Sequence, residues 1–336
     1  EGQPGHQRCT VKLLPVSRED RRTAYGVLAE VQRWADQDKS CARIYAVRKT
    51  KATICLAFPS PQTSLDQAGA VLEGGFAHRL LRDWRLNRLA ARWVGQLVAE
   101  VSGLHAAVGA GHLCIAPRTV MVLPDGDLRL GDFLGKARAL QWLEGRGSAE
   151  APQWGQEWAM WYPAEVRQPR AAVEGARAEG LDQLRVDSWQ LGVTIFYLLS
   201  GEHPFGDCRR DPAGVCRNVA EGKPVNLPLL ARLPLYADLV LRLTTRDPGL
   251  RPLPTALHGH PVLWSSERTS AFLQTSKIAL AALQQPGGGH LEAALQHLPW
   301  VAAPPPTCVR AMEALAEAGE PGGATFQSRT PELLWY

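Results

Sequence analysis

Lys12, Glu30, His112, Cys114, Thr119 and Asp132 are the side chains of this 336-residue chain whose types and spacing bear on chemistry. Lys12 stands in the alternating, β-rich stretch Thr10–Val16, and Glu30 falls on the helical pattern that follows. An ammonium beside a carboxylate is a pair that orients phosphates, and Asp132 offers an anionic oxygen to one magnesium ion. Phosphoryl transfer also needs a carboxylate that aligns and deprotonates a hydroxyl. Cys114 is no such group, because a thiol of ordinary pKa, about 8.5, is neutral at physiological pH. Its default reading is a small buried hydrophobe rather than a nucleophile.

A second set of residues names the framework. Asp187-Ser188-Trp189-Gln190-Leu191-Gly192 runs into the apolar stretch Val193–Leu199, then Gly201 and His203-Pro204-Phe205. This order resembles the central C-lobe helix of protein kinases. Aligned on it, Lys12 and Glu30 match the strand lysine and helix glutamate that orient the α/β-phosphates, with Arg48 and Lys49 as rivals for the lysine. His112-Leu113-Cys114-Ile115-Ala116-Pro117-Arg118-Thr119 occupies the catalytic-loop slot, with Cys114 replacing the base and Thr119 the second metal ligand. Asp132-Phe133-Leu134 stands where D-F-G belongs, and Leu134 enters positive φ less freely than glycine, a loss that Gly135 offsets in part. No glycine-rich phosphate loop precedes Lys12: either the chain starts inside that region or the loop is degenerate.

The structural kinase motifs are better kept. Trp161-Tyr162-Pro163-Ala164-Glu165 resembles the end of an activation segment, within which only Ser148 and Tyr162 carry hydroxyls. Control by phosphorylation there is poorly provided for. The resemblance implies that Asp187 caps the catalytic-loop backbone, that Trp189 belongs to the same core, and that Arg251 of Asp247–Pro252 pairs with Glu165. Losing one partner of such a buried pair costs roughly 3–5 kcal/mol. His260-Pro261-Val262-Leu263-Trp264 resembles the end of the last kinase helix.

The elements that must position these residues follow from pattern. We expect a strand over 10–16, a helix from Ser17 to Trp34, and a hairpin of 41–47 and 52–58 about Arg48-Lys49-Thr50-Lys51. Pro59-Ser60-Pro61 marks a hinge, 65–105 reads as helical, and two short strands flank Pro124-Asp125-Gly126-Asp127. Helices dominate thereafter. The expected fold is α+β, a two-lobed protein-kinase-like fold: an N-lobe over 1–59, a C-lobe over 60–264 and a helical extension over 265–336.

Composition excludes several other classes. Hydrophobic residues make up 45% and charged residues 21%, and the net charge of +4 is spread along the chain, so neither nucleic-acid binding nor membrane insertion is supported. Seven scattered cysteines without C-x-x-C spacing suggest neither a disulfide framework nor a zinc site, and fit a reducing compartment. No signal-peptide pattern opens the chain, and no apolar run is long enough to span a bilayer.

After Trp264 the apolar residues form helical stripes: Phe272, Ile278, Leu280 and Leu283; Leu291, Ala294, Leu295 and Leu298; Cys308, Met312 and Leu315. These stripes either assemble two chains or cap the C-lobe, and their extent favours assembly. With the broken loop His112-Leu113-Cys114 and the kept motif Asp187–Gly192, the chain resembles the PEAK/Pragmin family of pseudokinase scaffolds. That resemblance implies an inactive, cytoplasmic and cytoskeleton-associated adaptor in tyrosine-kinase, cytoskeletal and motility signalling. It implies no cofactor, a vestigial Lys12, Glu30 and Asp132, and dimerisation through Phe272, Leu291, Leu295, Leu298, Cys308, Met312 and Leu315. Partners would be the chain itself, related pseudokinase scaffolds, and SH2, SH3 and 14-3-3 adaptors recruited by a long N-terminal tail. Neither that tail nor the family's helix preceding the kinase domain is evident here. Two alternatives stand beside it: a nucleotide-gated switch and a weakly active ATP-dependent protein kinase.

Overall fold

Alternation in the first strand sets its two faces. The computed structural model describes residues 9–16, 21–37, 46–50, 53–71, 84–132, 135–136, 139–140, 159–167 and 182–283. Strand β1 (Cys9–Pro15) turns Val11 and Leu13 outward, 54% and 59% exposed, and carries Lys12 on the opposite face. It pairs antiparallel with β3 (Thr53–Pro59), Lys12 opposite Leu56, and β3 pairs with β2 (Ala46–Lys49). Arg48 and Lys49 therefore lie in a strand, and the hairpin turn begins two residues later than their polarity suggested.

Helix α1 (Arg21–Gln37) buries Ala24, Val27, Leu28, Val31 and Trp34, a stripe at three- and four-residue steps. Residues 17–20, where its start was expected, lie outside the described residues. Among the described residues, the helical pattern over 65–105 gives α2 (Leu65–Val71) and α3 (Trp84–Val108). Helix α3 ends at Gly109, whose φ of +70° carries the chain out while its N–H donates to His105 O at 2.9 Å.

A second sheet, in the order β4 (Thr63–Ser64), β5 (Val120–Val122), β6 (Leu128–Leu130), places the catalytic-loop segment and Asp132 on either side of a hairpin. Sequence pattern indicated β5 and β6 but not the two-residue β4. Short α4 (Ala164–Arg167) presents Glu165.

Helix α5 (Gln183–Ser200) is buried on almost every side, as its continuous apolar run requires. Asp182 caps it by accepting the Leu184 and Arg185 N–H groups, and Gly201 at φ +76° ends it. Trp189 stacks on Phe205 within a core that includes Trp161, Val193, Val215 and Val219. Helices α6 (Pro212–Glu221), α7 (Pro234–Leu243) and α8 (Ser266–Leu283) follow.

The chain divides into two compact units, Glu1–Leu229 with Val240–Ala256, and Leu230–Leu239 with Leu257–Tyr336. In the second, Phe272 packs edge-on against Trp264, ring centroids 5.2 Å apart, and Arg268 lies 4.7 Å over the Trp264 ring. Phe272 is half-buried there. Leu291, Leu295, Leu298, Cys308, Met312 and Leu315 lie outside the described residues, as do Leu134 and Ser148.

Candidate active-site cleft and catalytic-loop slot

Asp187, fully buried on α5, organises the slot. Its carboxylate accepts the His112 N–H at 2.6 Å and the Leu113 N–H at 2.7 Å, and meets His105 Nε2 at 2.8 Å. Leu113 adopts φ +62°, a left-handed conformation costly for a residue with a Cβ. The carboxylate bond to its N–H, and the Tyr162 hydroxyl donating to its carbonyl at 2.6 Å, hold it there. Gln190 adds a clamp, accepting the Ile115 N–H at 3.2 Å and donating to Trp161 O at 3.1 Å.

The catalytic position itself is closed. Cys114 is fully buried, and its thiol donates toward the Tyr162 hydroxyl at 3.8 Å. Burial first, then the negative charge of Asp132, pushes its pKa far above the usual thiol range. Burial likewise raises Tyr162, so both groups stay protonated. Tyr162 is 2% exposed, which removes it as an accessible hydroxyl of the activation segment. The Thr119 hydroxyl is committed to backbone: its hydrogen faces the carbonyls of Cys114 at 2.6 Å and Ala116 at 2.9 Å, and its oxygen accepts the Ala116 N–H at 3.0 Å. His112, also buried, has a lowered pKa, mainly from desolvation, and its Nδ1 accepts the Cys114 N–H at 3.2 Å.

The charged residues of the cleft pair differently from expectation. Lys12 and Glu30 do not pair with each other. Lys12 is bound to Asp132, and Glu30 is bound to Lys136 at 2.5 Å. Lys136, four residues after Asp132, supplies a second ammonium that satisfies Glu30. The motif D-F-L-G-K carries that signal in sequence, but it was not read there.

Asp132 itself takes the positive φ of this turn, +55°, and the turn closes through Gly135 N–H to Asp132 O at 2.7 Å. A Cβ on Gly135 would meet Cys114 Sγ at 2.8 Å and Asp132 Oδ2 at 3.1 Å. Close approach, not a left-handed backbone, is what requires glycine there.

The segment Pro59-Ser60-Pro61 is poor in backbone donors. Pro59 and Pro61 carry no N–H, and the Gln62 N–H is bound to Val122 O at 2.8 Å. Thr10 Oγ1 lies 3.0 Å from Ser60 Oγ, tying β1 to this segment.

The structure brings Arg251 and Glu165 together as a bidentate pair, with Nη1 to Oε1 at 2.5 Å and Nη2 to Oε2 at 3.1 Å. The remaining Arg251 donors reach the carbonyls of Thr245, Arg246 and Arg185, so the whole guanidinium is satisfied. Sequence reasoning missed His105, Gln190 and Lys136 as members of these networks. Gln190 was visible as a polar residue inside an otherwise apolar motif, whereas His105 at a helix end carried no distinguishing signal.

Among the described residues, no helix is long and apolar enough to cross a membrane. No family model matches the chain. It is 28% identical over 189 residues to the serine/threonine-protein kinase/endoribonuclease IRE1a of Arabidopsis thaliana, covering 55% of this chain and 20% of that protein. It is 32% identical over 177 residues to CBL-interacting protein kinase 4 of Oryza sativa subsp. japonica, covering 52% and 35%. It is 27% identical over 183 residues to sperm motility kinase 2B of Mus musculus, covering 53% and 32%. The matches thus span between a fifth and about a third of these relatives. Together with a few strands followed by many helices, these similarities make this a kinase-like protein with an α+β protein-kinase-like fold.

Proposed function

We propose that the chain is a catalytically inactive pseudokinase of the PEAK/Pragmin type, acting as a dimerising scaffold in tyrosine-kinase, cytoskeletal and motility signalling. One observation carries the inactive part: position 114 holds a buried, protonated thiol against the Tyr162 hydroxyl in place of a carboxylate that would align a substrate. The residues present do not match a magnesium-nucleotide transfer site. The Thr119 oxygen is engaged by backbone, Asp132 is neutralised by Lys12, and the hinge prolines remove donors that a purine edge would use. The fold around the slot is nonetheless held through Asp187 and the Arg251–Glu165 pair, as a binding platform requires. Its partners would be itself and related pseudokinase scaffolds, with adaptors of SH2, SH3 and 14-3-3 type.

Sedimentation equilibrium across concentration, wild type beside Leu295→Glu, tests the scaffold. A concentration-dependent dimer lost in the variant supports it; a monomer in both sinks assembly through this stripe. A phosphotransfer assay of Cys114→Asp addresses inactivity, since any gain of transfer would mean an enzyme lacking only its base. The second reading, a nucleotide-gated switch, draws on Lys12 and Asp132 meeting in the cleft. Magnesium-dependent nucleotide binding abolished by Asp132→Asn would favour it over the inert scaffold.

A further inference from the structure

The β2–β3 hairpin ends in the run Arg48-Lys49-Thr50-Lys51, which neither the cleft nor the catalytic slot uses. Arg48, Lys49 and Thr50 are all exposed. Register places Arg48 opposite Cys55 and Lys49 opposite Ile54, so successive side chains leave opposite faces of the strand and put a cation on each side of the tip. Thr50 closes the turn. Its N–H donates to Thr53 O at 2.8 Å, and its hydroxyl oxygen accepts the Thr53 N–H at 3.0 Å. The turn abuts α1, because the Tyr25 hydroxyl donates to Thr50 O at 3.2 Å and the Lys49 ammonium lies 5.4 Å over the Tyr25 ring.

We propose that Thr50 is a phosphoacceptor for a basophilic serine/threonine kinase. Such kinases select substrates by charge pattern, their acidic clefts receiving cations that flank an accessible hydroxyl. Among the described hydroxyls on α8, Thr269 and Thr275 instead donate to carbonyls four residues back on a helix. The bonds that the Thr50 hydroxyl shares with the Thr53 backbone are exposed, so lifting the tip into another enzyme's cleft is a local opening. In the step, the bond between the γ-phosphorus of ATP and its β,γ-bridging oxygen breaks. A bond from Thr50 Oγ1 to phosphorus forms, ADP leaves, and the hydroxyl proton passes to the acting kinase's carboxylate base. The phosphate brings a charge of about −1.5 to −2 and three strong acceptor oxygens. It can keep the Thr53 N–H bonded and recruit Arg48 and Lys49, converting a strongly basic hairpin tip beside α1 into a weakly basic, cross-linked one.

The test is transfer of radiolabelled phosphate from ATP to the intact chain by the catalytic subunit of cyclic-AMP-dependent protein kinase, with the site mapped by mass spectrometry. The expected result is stoichiometric label at Thr50, absent in Thr50→Val, kept in Thr50→Ser, and slowed about tenfold or more by the double change Arg48→Ala, Lys49→Ala. Matching melting curves guard against a misfolded variant. Label elsewhere with Thr50 unmodified, a rate indifferent to Arg48 and Lys49, or label only after heat unfolding would each overturn the proposal.

Discussion

Lys12 on β1 is bound to Asp132, 120 residues along the chain, while the glutamate expected to pair with that lysine is held by Lys136. The crossed arrangement neutralises both carboxylates of the cleft with the protein's own ammonium groups. Both pairs are partly exposed, which limits each to about 1 kcal/mol. Double-mutant cycles should give coupling of about that size for Lys12→Met with Asp132→Asn, and for Lys136→Met with Glu30→Gln. Lys12 and Glu30 should show none. Measured coupling between those two would place the lysine on the helix glutamate after all.

Cys114 should be inert. Its buried thiol, with a pKa raised by desolvation, leaves too little thiolate to attack an alkylating agent. Native protein treated with iodoacetamide at pH 8 should be modified at exposed Cys9 and not at Cys114, as peptide mapping would reveal. Cys114→Asp should also destabilise the fold by about 3 kcal/mol or more in urea denaturation, because it buries a carboxyl against Tyr162. Rapid native alkylation of Cys114 would contradict the closed slot.

Acid should act on the loop through His112. Its folded-state pKa lies below the ordinary 6.5, so the unfolded chain binds the extra proton first as pH falls. The neutral ring's contribution is therefore full above pH 6.5 and declines below it, by at most about 1.4 kcal/mol per pH unit. Asp187 and Asp132 oppose this depression and Lys136 reinforces it. Urea denaturation at pH 7.5 and 5.5 should reveal a loss in the wild type that is smaller by about 1 kcal/mol in His112→Gln. Equal losses in both proteins would remove His112 as the source.

Two helix glycines should respond with opposite signs to alanine. Gly26, exposed on α1, has nothing within 4 Å of an added Cβ, so Gly26→Ala should stabilise by about 0.5–1 kcal/mol. At Gly192 on α5 the Cβ would meet Leu243 Cβ at 2.6 Å and Thr244 Cγ2 at 2.9 Å. Gly192→Ala should therefore cost about 1–3 kcal/mol, with the melting temperature lowered. A neutral Gly192→Ala would mean that α5 is not packed this closely.

Much of the framework was legible because local physics dictates it. The apolar run after Asp187 has no exposed face, so it reads as a buried helix, and α5 is one. The alternation around Lys12 specifies a strand, and D-G between two apolar runs specifies the β5–β6 turn. The amino-acid types also determine, without any fold, that position 114 carries a thiol and position 119 a neutral hydroxyl. Other features depend on distance in space, which spacing along the chain does not encode. Only the tertiary structure decides which ammonium meets which carboxylate, since Lys12, Lys136, Glu30 and Asp132 are chemically interchangeable partners until the fold sets their separations. The same holds for Tyr162: sequence names it only as one of two hydroxyls in the segment, whereas packing buries it on the carbonyl of Leu113, and desolvation keeps it protonated.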